Sequence, residues 1–405
     1  MKSFICAALV AVAYGQEVES FLQENTFQAP TAATWPVTIA LERSTMTLTA
    51  LNYSWNTKFQ TANKDSLNAK TESNVRLLLN SSDTIVLSSL SATDFTVSPE
   101  PINLTPQGAT AAVAGKSYTG NVGFGNAAGG PFFPGTVWKP TTNGAIKAQV
   151  GFAPYTTAVP TFHTLGQAGA VENVSATTSF SNVKNAAGAI TFTQYVGGVP
   201  TGDAAYEHGV KLAEATTVWE PRVTHFSYDG ENLITEETIT YKARFALDDT
   251  KIRSDVTEAT AYQTYIPTAL YTSYLALWGD DVAAKLLACD TANVKNTSIT
   301  LQDDEESSRV VLTWKPKASV LSSAAAGVAA SACITSFQPN TLTTDNVFYF
   351  EDAIRHFFDV QYDAADRTIK FKANAANTEN VLVEGASALS AVVATVAAGV
   401  ALFAF

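Results

Sequence analysis

The stretch NVFYFEDAIRHFFDVQYDAADRTIKFKA, residues 346–373, reads as an apolar strand, a short helix in FEDAIRHFF and a β-hairpin. Asp363-Ala364-Ala365-Asp366 forms the hairpin tip. The β character extends outward along the chain. VTIALE, VRLLL, TIVLSS, AITFTQYV, RVTHFSY, LITEETITYKARFAL and RVVLTW are β-branched or alternating runs. Asp229-Gly230 marks a tight turn between two of them. Helical signals are few. PTALYTSYLALWG opens at Pro267, closes at Gly279 and carries Leu270, Tyr274 and Leu277 along one face. PTFHTLGQAGAV, ended by Gly169, is a second short helix. The expectation is an all-β chain, mainly β with a few short helices.

The two ends have a different character. Lys2, the apolar run Phe4 to Ala13 and the small-x-small site Ala13-Tyr14-Gly15 predict a signal peptide over residues 1–15. At the other end ASALSAVVATVAAGVALFAF is apolar and carries no Lys or Arg after it. Small residues and a partly polar spacer precede it, the order of a glycolipid (GPI) anchor signal over 374–405. The attachment point is expected at Asn374 or at Gly385. The expected location is therefore the extracellular face of the plasma membrane, with the membrane contacted through a lipid anchor.

Composition narrows the chemistry. A formal charge of -12 disfavours nucleic acid as a partner. Cys6 leaves with the signal peptide, and Cys289 and Cys333 then read as one disulfide in an oxidising compartment. Asn52, Asn80, Asn103, Asn173 and Asn296 open glycosylation acceptor triplets. No His-Glu-x-x-His pair occurs, and His163, His208, His225 and His356 are scattered, so no metal or cofactor is expected. There is no Gly-x-Ser-x-Gly elbow. GNVGFGNAAGG lacks the phosphate-loop spacing and reads as a hairpin and loop. Carboxylate-pair chemistry is the enzyme reading left.

Residues 346–373 resemble the closing segment of the pepsin-like aspartic proteases, an apolar strand, short helix and hairpin. Other segments follow that family's order. KAQVGFAP is similar to its Asp-Gly-Ile-Leu-Gly-Leu-Ala segment and keeps Gly151. TFHTLGQAGAVENVSATTSF resembles the helix that follows, with Phe162, Leu165, Gly169, Val171 and Phe180 in place. GAITFTQYVGG resembles the strand closing the first lobe, and VWEPRVTHFSYDGENL the strand and turn early in the second. Cys289 and Cys333 match a disulfide common late in that lobe. The resemblance covers residues 140–373 and, more loosely, the chain before them. It implies a bilobal pepsin-like aspartic protease fold with a central cleft, lobes over 26–205 and 206–373.

In that family each lobe presents an Asp-Thr-Gly, and the two aspartates share a proton to activate water. The first-lobe pattern falls on Leu79-Asn80-Ser81-Ser82-Asp83-Thr84-Ile85, with Asn80 at the carboxylate position. An amide cannot serve as general base. Counting back from Pro267 gives Glu258-Ala259-Thr260 in the second lobe, again without the motif. The resemblance therefore implies a homologue without peptidase activity whose cleft binds a peptide or protein. One alternative is an active endopeptidase using Asp83 with Asp255 or Glu258; another is a β-rich adhesion or coat protein. The same substitution that removes the carboxylate makes Asn80 an acceptor, which a buried loop would leave unglycosylated.

Overall fold

The computed structural model describes residues 31–32, 37–43, 55–62, 69–79, 81, 83–90, 92, 95–106, 111–124, 131–144, 146–151, 153, 173–179, 188–196, 199–200, 206, 208–213, 216, 218–236, 238–245, 263–305, 307–322, 333–341, 345–350, 354, 357–363 and 367–387. Asn52, Asn80, Asp255, Glu258 and the helix expected in PTFHTLGQAGAV lie outside these residues.

Two large sheets carry the described chain. One orders Phe337–Asn340, Thr264–Pro267, Val347–Phe350, Tyr241–Phe245, Arg222–Tyr228, Thr297–Gln302, Ser308–Trp314 and Val381–Ser387. Arg222–Tyr228 shows how sequence sets the face. Val223, Phe226 and Tyr228 point inward while His225 is exposed. A bulge between Val223 and His225 supplies the extra residue that moves the inward side from odd to even positions at Phe226. The hairpin then closes through Asp229 and Gly230 at φ 52° and 85°, the turn that Asp-Gly favours.

Above this sheet lies the helix Thr268–Ala276, with Pro267 at its N-cap and Leu270 and Tyr274 buried. Trp278, rather than Leu277, is the buried residue beyond its end. The core is aromatic. Trp314 lies 5.1 Å, ring to ring, from both Phe337 and Phe358, and Phe226 lies 5.5 Å from Tyr274. Such pairs contribute about 0.5–1.5 kcal/mol each beyond area burial.

The second sheet is built from the N-terminal half but not from it alone. Its central run is Val37–Arg43, Gly188–Val196, Asn173–Ser179, Phe358–Asp363, Thr368–Ala373 and His208–Lys211. The closing hairpin thus leaves its own half and pairs Ser175 with Asp363 and Thr178 with Val360. Its turn ends at Arg367, at φ 54°; within FEDAIRHFF, Ile354 and Phe357 are helical and buried, while Phe350 and Phe358 belong to the flanking strands. The strand Val113–Phe124, which takes in the start of GNVGFGNAAGG, pairs antiparallel with Pro131–Pro140, and residues 125–130 lie outside the described residues.

Ordered sheet continues past the boundary expected at 373. Val381–Ser387 pairs along its whole length with Ser308–Trp314.

Candidate functional site

The loop that resembles the first active-site motif is fixed at both ends. Ala69–Leu78 runs into it with Val75, Leu77, Leu78 and Leu79 fully buried. This strand lies parallel to Gln149–Gly151, pairing Arg76 with Gln149, Leu77 with Val150 and Leu78 with Gly151. Past the loop the chain returns antiparallel to the same residue. Ile85 N–H donates to the Gln149 carbonyl at 2.8 Å, and Gln149 N–H donates to the Ile85 carbonyl at 3.0 Å. Trp138 holds the next step: its N–H donates to the Thr84 carbonyl at 2.9 Å and its carbonyl accepts from Val86 N–H at 3.0 Å.

Gln149 also reaches into the loop with its side chain. It is 2 % exposed, and its amide Nε2 donates to Ser81 Oγ at 3.2 Å and to the Asp83 carbonyl at 3.3 Å. Ser81 Oγ accepts the Asp83 N–H as well, and the Ser81 carbonyl accepts from Ala153 N–H at 3.0 Å. Thr84 is fully buried, whereas Ser81 and Asp83 are half-buried. Beneath the loop Arg76 is buried, and desolvation lowers its guanidinium below the ordinary value. Among the described residues, the loop is held by these main-chain bonds and by one buried amide.

The C-terminal half repeats this arrangement. Tyr241–Phe245 lies parallel to Val347–Phe350, pairing Arg244 with Tyr349 and Phe245 with Phe350. The returning strand Thr264–Pro267 meets Val347–Phe350 antiparallel at Tyr265 and Tyr349. Gln149 and Tyr349 are therefore equivalent, each paired with an outgoing and a returning residue, and so are Arg76 with Arg244 and Ile85 with Tyr265. Arg244 pairs with Glu220 and sits 5.4 Å from the centre of the Tyr349 ring.

This register bears on the second carboxylate position. Asn80 stands four residues after Arg76, and the residue four after Arg244 is Asp248. Counting back from the returning strand with the first loop's spacing gives Thr260 instead, five before Tyr265 as Asn80 is five before Ile85. The two counts differ by twelve residues (260 − 248), so the connection in the second half is longer by that amount. The expected Glu258 came from counting back only. Asp248, Asp255 and Glu258 all lie outside the described residues.

Of the other expected sites, Cys289 and Cys333 are bonded, with S–S 2.10 Å and Cα atoms 5.2 Å apart. Asn103 and Asn296 are exposed, and Asn173 begins a strand. Asn374 is 7 % exposed, and Gly385 lies within the last strand. Gln149 and Trp138 went unnoticed in the sequence. The signal for Gln149 was available, as a single amide between Ala148 and Val150 in an otherwise apolar strand.

The chain is similar in structure to the aspartic proteinase from Irpex lacteus, with a TM-score of 0.52 at 14% sequence identity. The match covers 85% of this chain and 98% of that one. No protein-family model matches the chain, and no curated protein is detectably similar to it. The fold is that of the bilobal pepsin-like aspartic proteinases, mostly strands with few short helices.

Proposed function

We propose that this chain is a secreted, cell-surface protein that keeps the pepsin-like fold without peptidase activity and uses the interlobe cleft to bind an extended peptide or protein segment. The observation that carries this reading is Asn80. It follows buried Leu79, the residue just past the strand Ala69–Leu78, and stands where the resemblance calls for a catalytic aspartate. A shared-proton dyad needs two carboxylates about 3 Å apart, and an amide holds no proton in that range. The forward count puts Asp248 opposite it and the backward count Thr260, so at most one carboxylate would face the chemistry. Ser82 adds to the loss, since a side chain replaces the glycine of the tight turn. A bound peptide could add its main chain as a strand along the cleft, with side-chain pockets giving selectivity.

The reading is supported by the signal-peptide pattern of residues 1–15 and the anchor-signal pattern of 374–405 for the cell surface. Its test is an assay of the purified chain on a denatured protein between pH 3 and 7. No cleavage is expected. Cleavage that is blocked by a hydroxyl-bearing transition-state mimic and lost in Asp83→Asn would overturn it in favour of an endopeptidase using Asp83 with Asp255 or Glu258.

A further inference from the structure

We infer that the glycolipid is attached at Gly385, near the end of the last strand Val381–Ser387, and not at Asn374; this rests on the surface-anchor reading above. Each position opens a triplet of small residues, Asn374-Ala375-Ala376 and Gly385-Ala386-Ser387; the polar spacer of the pattern follows the first, whereas only Ala388-Leu389-Ser390 separates the second from the apolar run. The fold separates them by what each product retains.

Attachment at Asn374 breaks the Asn374–Ala375 peptide bond and discards everything after it. The discarded part includes Val381–Ser387, which pairs residue by residue with Ser308–Trp314, from Trp314 with Val381 to Ser308 with Ser387. Val381 is 1 % exposed and belongs to the same core as Leu312 and Trp314. The turn leading to the strand would go too. Lys315 N–H donates to the Asn380 carbonyl at 2.9 Å, and Lys315 Nζ donates to the Glu379 carbonyl at 3.1 Å. Asn374 itself is committed to this turn. Its Nδ2 donates to Asp359 Oδ1 at 3.1 Å, its Oδ1 accepts Ala376 N–H at 3.0 Å, and its N–H donates to the Phe357 carbonyl at 2.9 Å. Loss of this strand leaves Leu312 and Trp314 without their edge partner and Ser308–Trp314 as a bare edge.

Attachment at Gly385 keeps five of the seven paired positions, Val381 through Gly385, and gives up only Ala386 and Ser387. It also suits a residue that packing already requires to be small. A Cβ on Gly385 would lie 2.2 Å from His208 Nδ1 and 2.7 Å from its Cγ. In the transfer the Gly385 carbonyl forms an amide with the primary amine of an ethanolamine-bearing glycolipid. The Gly385–Ala386 peptide bond breaks, and residues 386–405 leave as a peptide whose new amino group takes the proton.

The C-terminal peptide of the full chain, expressed in an anchor-attaching eukaryotic cell and recovered from membranes, reads the site directly. Lys372 is the last basic residue, so trypsin releases a final peptide starting at Ala373. After chemical removal of the lipid and glycan, mass spectrometry is expected to find Ala373 to Gly385 carrying an ethanolamine remnant. A remnant on Asn374, Ser387 or any other residue overturns the site while leaving the anchor reading standing. A final peptide running unmodified to Phe405 overturns both.

Discussion

Replacing Gln149 with leucine tests whether one buried amide organises the candidate loop. The change keeps the side-chain volume, so the cavity contribution is small. The main-chain bonds between residues 149 and 85 also remain. What is lost is the pair of donations to Ser81 Oγ and the Asp83 carbonyl. Each hydrogen bond contributes about 1 kcal/mol net, and these acceptors are half-buried and partly recover water, so the loss is about 1–2 kcal/mol. At roughly 2–4 °C per kcal/mol, Tm falls by about 3–6 °C. Thermal and urea unfolding followed by circular dichroism measure it, with an unchanged urea slope marking a native-state effect. The decisive arm is a double-mutant cycle with Ser81→Ala. If Gln149 acts through Ser81, the second change is milder by about 1 kcal/mol once the first is present. Fully additive effects would refute the clasp.

Three further outcomes follow from other parts of the molecule. Cys289→Ser is expected to lower stability by about 4 kcal/mol on the chain-entropy model, because the bridge joins residues 44 apart; an unchanged urea midpoint would count against it. Gly385→Ala should destabilise by about 1–3 kcal/mol through overpacking against His208, and by clearly less in a His208→Ala background; equal losses in both backgrounds would rule out that contact. The Asp281 carboxyl, held below its ordinary range chiefly by the hydrogen bond from Lys285, 2.8 Å away, should contribute stability at neutral pH that fades as pH falls from about 3.9 through the lower folded value. Asp281→Asn should therefore differ from the native chain in Tm at pH 6 and converge with it in acid, and a constant gap would contradict the assignment.

The fold was legible wherever a single strand carries its own pattern. RVTHFSY, RVVLTW and the hairpin of residues 358–373 became strands close to the expected bounds, because β-branched and aromatic residues there serve both propensity and burial. TIVLSS did not become a strand: among its residues Ile85 makes only isolated bridges, to Trp138 and Gln149. Its apolar residues serve a clasped loop rather than a ladder. Val381–Ser387 was hidden for the opposite reason. Its run VLVEGAS merges into the apolar tail, and only the partner strand Ser308–Trp314 reveals where sheet ends and tail begins. The second carboxylate position expected from the resemblance depends on a loop length, and the connection from Arg244 to Tyr265 is twelve residues longer than that from Arg76 to Ile85.

The absence of an aspartate at position 80 can be reconciled with a preserved loop by asking what holds the loop. Among the described residues, bonds that hold it run between main-chain groups of Ser81, Asp83, Thr84, Ile85 and Val86 and their partners Gln149, Trp138 and Ala153, with the Gln149 amide and the Ser81 hydroxyl added. None of these uses a carboxylate at position 80. A catalytic dyad is in fact a burden on a fold, since two acids forced together must share one proton. Exchange of that aspartate for asparagine removes the repulsion and leaves every one of these bonds in place. The bonds seen among the described residues therefore hold the loop whichever of the two side chains stands at position 80. On the proposed reading Asn80→Asp should leave Tm unchanged or slightly lower at neutral pH and yield no peptidase, because the resemblance sets Ser82 where the family has glycine. Measurable cleavage from that single change would show that the loop already has catalytic geometry and that only the carboxylate was lacking.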